Sequence, residues 1–236
     1  LHFMKKRAEE RLTFDVQPEL ARRLGYKARG SDSAVERFMK RYFLAAKEVG
    51  ALTRVLCAKL EADHSKRVPE GLRRFLPAQR RKDIPAADGF HIEQGRLNID
   101  SPAVLDAPAN FIRLFEIAES RDLDIHPAAL EAVSKRARLS REKWRNDEGA
   151  HRSFLNILAS SRHPGAALRL MNDAGVLGRF IPEFGRIVAQ MQFNMYHHYT
   201  VDEHTLQAVD IIAEIERGQH KEQHPLATSI FPKIIN

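Results

Sequence analysis

Ser33-Ala-Val-Glu-Arg-Phe-Met-Lys-Arg-Tyr-Phe-Leu-Ala-Ala-Lys-Glu-Val-Gly50-Ala-Leu-Thr-Arg-Val-Leu-Cys-Ala-Lys-Leu60 opens on a serine followed three residues later by a glutamate. The serine hydroxyl can accept from an early backbone N–H while the Glu36 carboxylate reaches back to the serine's own N–H, a reciprocal pairing that starts a helix. Apolar residues then recur at Val35, Phe38, Met39, Tyr42, Ala46, Val49, Leu52, Leu56 and Leu60. That spacing is one stripe of a long amphipathic helix, with Gly50 as the place where it can bend.

Outward from this helix the pattern stays helical. Asp106 followed by Pro108 predicts a helix start ahead of Phe111, Ile112, Leu114, Phe115 and Ala118. Further helices are expected from Pro127 to Arg138, around Phe154-Leu-Asn-Ile-Leu158, and from Pro164 to Gly175, the last with proline at its start and glycine at its end. Thr200-Val-Asp-Glu203 reads as a second capping box, opening a helix through Ile211, Ile212 and Ile215 to Arg217 and Gly218. Counting back from Ile215, the inward stripe is expected to be Ile211, Ala208, His204 and Val201, so His204 is predicted to face the core. One segment departs from the helical period. Gly89-Phe-His-Ile-Glu-Gln-Gly-Arg-Leu-Asn-Ile-Asp100 alternates around Gln94-Gly95 and predicts a small β-hairpin with Gly95 at positive φ. The expected fold class is mostly α, a bundle-like helical region with one hairpin at about 89–100.

Composition sets the outer limits. The chain has 236 residues, 43% of them hydrophobic, with 38 Lys and Arg against 31 Asp and Glu for a net charge of +7. That fits one large globular domain or two small ones. No run reaches the roughly 18 apolar residues a membrane span needs, and the first residues do not form a signal peptide. The single cysteine, Cys57, excludes an internal disulfide and a Cys-rich zinc site, and predicts a reducing cytoplasm. The chain starts inside a charged segment and stops after the apolar Ile230-Phe-Pro-Lys-Ile-Ile235, which points to a fragment. Charge is uneven: residues 1–88 hold 21 basic and 12 acidic groups, 89–169 hold 12 and 11, and 170–236 hold 5 and 8. The basic first third is expected to face something acidic or simply to present solvated helix faces.

Candidate chemistry is sparse. His197, His198, His204, His220 and His224 cluster in sequence, but none of their spacings is that of a helical metal motif such as His-Glu-x-x-His. Asp122-Leu-Asp124 has the form in which nucleotidyltransferases hold Mg²⁺. It follows a helix rather than a Gly-Ser turn, and the one Gly-Ser, Gly30-Ser31, is far away, so Asp124 is expected instead to cap the helix after His126-Pro127. Trp144 among Arg141, Lys143 and Arg145 could stack on a nucleobase, but a packing anchor is the favoured reading. Phosphate loops and nucleophile elbows are absent.

The run Leu168-Arg-Leu-Met-Asn-Asp-Ala-Gly-Val-Leu-Gly-Arg-Phe-Ile-Pro-Glu-Phe-Gly-Arg-Ile-Val-Ala-Gln-Met-Gln-Phe-Asn-Met-Tyr-His-His-Tyr-Thr-Val-Asp-Glu-His-Thr-Leu206 closely resembles the bifunctional uridylyltransferase/uridylyl-removing enzymes that modify the PII nitrogen-signalling protein of bacteria. Arg7-Ala-Glu-Glu-Arg-Leu12, Phe14-Asp15, Leu24-Gly25-Tyr26 and Val35-Glu36-Arg37-Phe38-Met39 also resemble that family, so the likeness covers nearly the whole chain. It implies a nucleotidyltransferase domain moving UMP from UTP to PII, a helical region, an HD-type phosphohydrolase domain that removes UMP with Mg²⁺ or Mn²⁺, and glutamine-sensing domains. On that reading residues 1–192 are the helical region after the transferase core, and 193–236 are the truncated start of the HD domain.

The resemblance assigns His204 as the first histidine of the HD metal set, functional only in the intact domain. None of the eleven histidines is followed by aspartate, so the His-Asp pair of that set is missing from this sequence. No catalytic residue is expected within the chain itself, and no bound cofactor. The alternative reading is a basic nucleic-acid-binding or interdomain scaffold module; nucleic acid is the disfavoured partner, and no membrane is expected. If the metal set is incomplete, the purified chain should retain no stoichiometric Mg²⁺ or Mn²⁺ after dialysis, as elemental analysis would establish; a tightly held ion would contradict the assignment.

Overall fold

A computed structural model describes residues 1–66, 82–84, 87–139, 144–160, 163–193 and 199–235. Their order is helix α1 (His2–Lys5), α2 (Gln17–Arg23), α3 (Ala34–Lys66), strands β1 (Lys82–Asp83), β2 (Phe90–Glu93) and β3 (Arg96–Ile99), a 3₁₀ turn (Pro102–Asp106), then α4 (Asn110–Ser120), α5 (Pro127–Leu139), α6 (Glu148–Ser160), α7 (Pro164–Asp173), α8 (Leu177–Phe180), α9 (Pro182–Ile187), α10 (Val201–Glu216) and α11 (Pro225–Ile235). The architecture is the mostly helical one expected. Among the described residues no helix is long and apolar enough to cross a membrane.

The first capping box forms as read: the Ser33 N–H donates to Glu36 Oε2 at 2.8 Å and the Glu36 N–H to Ser33 Oγ at 3.2 Å. The hairpin also forms, in the register Phe90↔Ile99 to Glu93↔Arg96, with both Gln94 (φ 53°) and Gly95 (φ 75°) left-handed as a two-residue turn matched to strand twist demands. A short third strand, β1, extends the sheet antiparallel to β2, in the order β1-β2-β3.

Two helix starts ahead of α6 differ from expectation. Ala107 precedes Pro108 and is extended (φ −78°, ψ 116°), because the proline ring crowds a helical conformation at the residue before it. The segment therefore splits into the 3₁₀ turn and α4, with Asn110 Nδ2 tying them by donating to Val104 O at 2.8 Å. At α5 the cap is His126, not Asp124: its Nδ1 accepts from the Ala128 N–H at 3.2 Å. Burial pushes the His126 imidazole below its ordinary pKa, which keeps the neutral acceptor form available. Asp122 and Asp124 are both exposed. Asp124 contributes its backbone instead, its carbonyl accepting from Leu97 N at 2.8 Å while the His126 N–H returns to Leu97 O at 2.8 Å.

Helix α4 sits at the centre of the main core, burying Phe111, Ile112, Leu114, Phe115, Ile117 and Ala118. Trp144, 2% exposed, lies between Phe111 (ring centroids 5.2 Å) and Phe180 (5.7 Å). It is a packing anchor and has no face open to a base. Helices α8 and α9 meet through glycines: a Cβ on Gly185 would lie 2.5 Å from the Gly178 carbonyl oxygen, so any side chain there would push the helices apart. A second, smaller cluster of Ala21, Val35, Phe38, Met39 and Met191 holds α2 against the first turns of α3.

Only this first part of the α3 stripe is covered. Tyr42, Val49, Leu52, Leu56 and Leu60 are exposed among the described residues. Replacing Trp144 by alanine is expected to cost about 3–5 kcal/mol in urea denaturation of the chain, whereas Leu56→Ser should stay within ~0.5 kcal/mol of wild type.

Candidate functional site

Helix α10 carries the sequence-predicted histidine, and its first turn is organised differently from a capping box. No side-chain cap bond forms at Thr200. The Thr200 hydroxyl bonds the Asp202 carboxylate, and Glu203 turns to Arg169 on α7 (Oε2 to Nε, 3.2 Å). Charged and buried partners elsewhere outcompete the weaker local pairing.

The inward residues of α10 are Asp202, Leu206 and Ala213, with Val209 packed against the core. The stripe expected inward is rotated away from it: His204 is exposed, as is Ile211, and Val201, Ala208 and Ile215 are half-buried. The helical spacing was read correctly but the face was not. That face is apolar apart from the histidine, yet a single aspartate with four donors sets the rotation.

Asp202 is completely buried. Its Oδ2 accepts from Lys47 Nζ of α3 at 2.7 Å and from Asn172 Nδ2 of α7 at 2.9 Å, and its Oδ1 from the Ala189 N–H at 3.1 Å. With Thr200, these donors fill the carboxylate's roughly four lone-pair positions. Burial would raise its pKa, but the bonds from Lys47, Thr200 and Asn172 outweigh that and hold it below the usual carboxylate range. Ala189 is a buried, non-glycine residue at φ 56°, a strained conformation that the bond to Asp202 helps to hold. The Val201 N–H adds a bond to Gln190 O at 2.8 Å.

Beside this cluster, Arg169 also meets Asp210 (2.8 Å), which accepts from the Gly165 N–H at the start of α7 at 2.7 Å. A concavity of about 410 Å³ over this fork is lined by Tyr199, Glu203, Gln207, Asp210 and Glu214 among others. Glu214 pairs with His220 Nε2 at 2.6 Å, and the His220 and His224 rings lie 6.0 Å apart. His197 and His198 lie outside the described residues. Among the described residues no three His, Cys, Asp or Glu side chains converge to hold a metal ion. The donors that the described residues bring together are too few to hold a divalent cation by themselves.

Sequence reasoning singled out His204 and passed over Asp202, Lys47, Arg169 and Asp210. The available signal was the stripe Glu36, Lys40, Lys47 and Arg54 on α3, spaced by four and seven residues, but a polar stripe on a helix is also what a solvated face looks like.

The comparisons with known proteins now define the class. The family model described as GlnD PII-uridylyltransferase matches residues 1–57, and the one described as uridylyltransferase GlnD third domain matches residues 90–180. The chain is 58% identical over 236 residues to bifunctional uridylyltransferase/uridylyl-removing enzymes of two Caulobacter vibrioides strains, and 57% identical to that of Phenylobacterium zucineum. Each alignment covers 99% of this chain and 25% of the relative, so the chain spans about a quarter of the length of the curated relatives it matches. It belongs to the bifunctional uridylyltransferase/uridylyl-removing enzyme family. No solved structure matches.

Because the folded-state pKa of Asp202 is depressed, its stabilisation is present above its unfolded value of about 3.9 and is lost as pH falls through the folded value. Asp202→Asn is expected to cost about 3–5 kcal/mol near neutral pH. The gap to wild type should narrow only below about pH 4, measured by urea denaturation across pH. A gap that is flat through this range would mean the carboxylate charge is not what holds the cluster.

Proposed function

We propose that the chain is the part of a bifunctional enzyme that joins a half transferring UMP from UTP to the PII signalling protein with a half that hydrolyses UMP from it, under the control of glutamine. In this reading residues 1–192 form the helical region beside the transferase core, 193–236 begin the HD-type hydrolase domain, and the enzyme works in the cytoplasm. Mg²⁺ or Mn²⁺ would support removal, with His204 contributing one ligand. An imidazole alone cannot retain either ion, which take several oxygen ligands, so the chain by itself is inactive in removal as well as in transfer.

The observation that carries the reading is the outward face of α10. Val201, His204, Ala208, Ile211 and Ile215 form one helical stripe, apolar except for the histidine, that the rest of this chain leaves partly or wholly open. An apolar stripe interrupted by one imidazole suits a helix that other elements of a hydrolase domain cover, with the histidine turned into the site between them. The family membership supports the same reading from the other direction, because the relatives' names couple uridylyl transfer and removal in one protein.

A second, purely electrostatic reading, nucleic-acid binding by the basic first third, is weakened by how many of those cations are already paired. Lys5 with Asp15, Arg22 and Arg23 with Glu19, Lys47 with Asp202 and Arg54 with Asp173 are all ion pairs within the chain. His204→Ala in the full-length enzyme is expected to lower the rate of UMP removal from uridylylated PII by roughly 100-fold or more while leaving transfer from UTP unchanged, both followed by gel shift of PII. Retention of removal would refute the role given to His204.

A further inference from the structure

Most of helix α3, residues 34–57, lies in the segment matched by the uridylyltransferase family model, and α10 bears His204. Helix α3 meets residues 173–202 through polar side chains as well as through the small apolar cluster around Met191. Among the described residues four α3 side chains make hydrogen bonds or ion pairs to the later half of the chain: Glu36 Oε1 accepts from the Phe193 N–H at 3.3 Å, Lys40 Nζ donates to Arg186 O at 3.3 Å, Lys47 pairs with Asp202 at 2.7 Å, and Arg54 with Asp173 at 3.2 Å. At 3.6 residues per turn these four fall within ~40° of one line along the helix. The apolar stripe of α3 lies on a different side and meets this half at its first turns, where Val35, Phe38 and Met39 share a small cluster with Met191.

Of the four, the Lys47 contact alone ends on a fully buried carboxylate, and that carboxylate also holds the Ala189 turn and the first turn of α10, two residues ahead of His204. We propose that Asp202 is a positioning residue for His204, and that Lys47 is the handle through which the transferase-side helix α3 sets the pose of α10. The catalytic part of this inference rests on the function proposed for His204; the mechanical part does not. Its physical basis is that the Lys47–Asp202 contact can be weakened or re-formed by small shifts of this part of α3, so such a displacement reaches α10 as the loss of one of Asp202's four donors.

The test uses Lys47→Met, which keeps the stem packing of a side chain that is a quarter exposed, and Lys47→Arg, which keeps the charge. In the chain studied by amide hydrogen exchange, K47M is expected to speed exchange of the Ala189 N–H and of residues 201–204 by roughly tenfold relative to wild type, with α4 unaffected. K47R should restore protection. In the full-length enzyme K47M is expected to lower kcat for UMP removal by a comparable factor with KM for uridylylated PII unchanged, and K47R to recover it. Unchanged exchange at Ala189 and residues 201–204 in K47M overturns the link between α3 and α10. Faster exchange with an unaltered kcat of removal overturns the positioning role. Failure of the His204 reading would show separately, as removal surviving His204→Ala, while the exchange result still decides whether Lys47 holds α10.

Discussion

A single buried carboxylate organises the second half of this molecule. Asp202 has no contact with water and must have every lone pair met inside the protein, because an unpaired buried charge costs several kcal/mol. The donors that meet it come from four places in the chain: Lys47 on α3, Asn172 on α7, the backbone of Ala189, and Thr200 just before α10. Satisfying them all fixes the rotation of α10, the left-handed turn at Ala189 and the distance of α3 from α7. The outward direction of His204 and of Ile211 follows from that rotation.

Around this centre the molecule uses two different kinds of cohesion. The main core, from the sheet through α4 to α7, is apolar and tightly interlocked, with Trp144 stacked between two phenylalanines and α8 crossing α9 on bare glycine backbone. Such packing has few alternative arrangements. The described polar contacts of α3 with residues 173–202 are ion pairs and bonds between side chain and backbone, joined by Met191 in the small cluster, and the segment before α2 adds the stacking of Phe14 on Phe193. Contacts of this kind depend on salt and on small displacements far more than an apolar core does. Lys40, Lys47 and Arg54 of α3 lie in the segment that the uridylyltransferase family model matches, so this polar seam ties that segment to the later part of the chain.

The parts of the fold legible in the sequence are those decided by local chemistry. Ser33 and Glu36 cap each other because they are three residues apart on the first turn, and Gln94-Gly95 turn the hairpin because a two-residue turn needs positive φ. Thr200 and Glu203 have the same spacing as Ser33 and Glu36 but do not cap, since Asp202 and Arg169 compete for them. Asp124 had the better capping side chain, yet its backbone is pulled into pairing with Leu97 and His126 takes the position.

The sequence by itself determined that this chain is mostly helical, where most of its longer helices and its hairpin lie, and which family it belongs to, because spacing, turn residues and long runs of shared residues are properties of the chain read in one dimension. Tertiary structure alone decided which face of α10 is inside. Periodicity marks a stripe but not what lies opposite it, and the stripe of isoleucines with His204 lost the core to a face carrying an aspartate. What turned the helix was the need to bring four donors from distant segments to one buried carboxylate, and no local pattern contains that requirement.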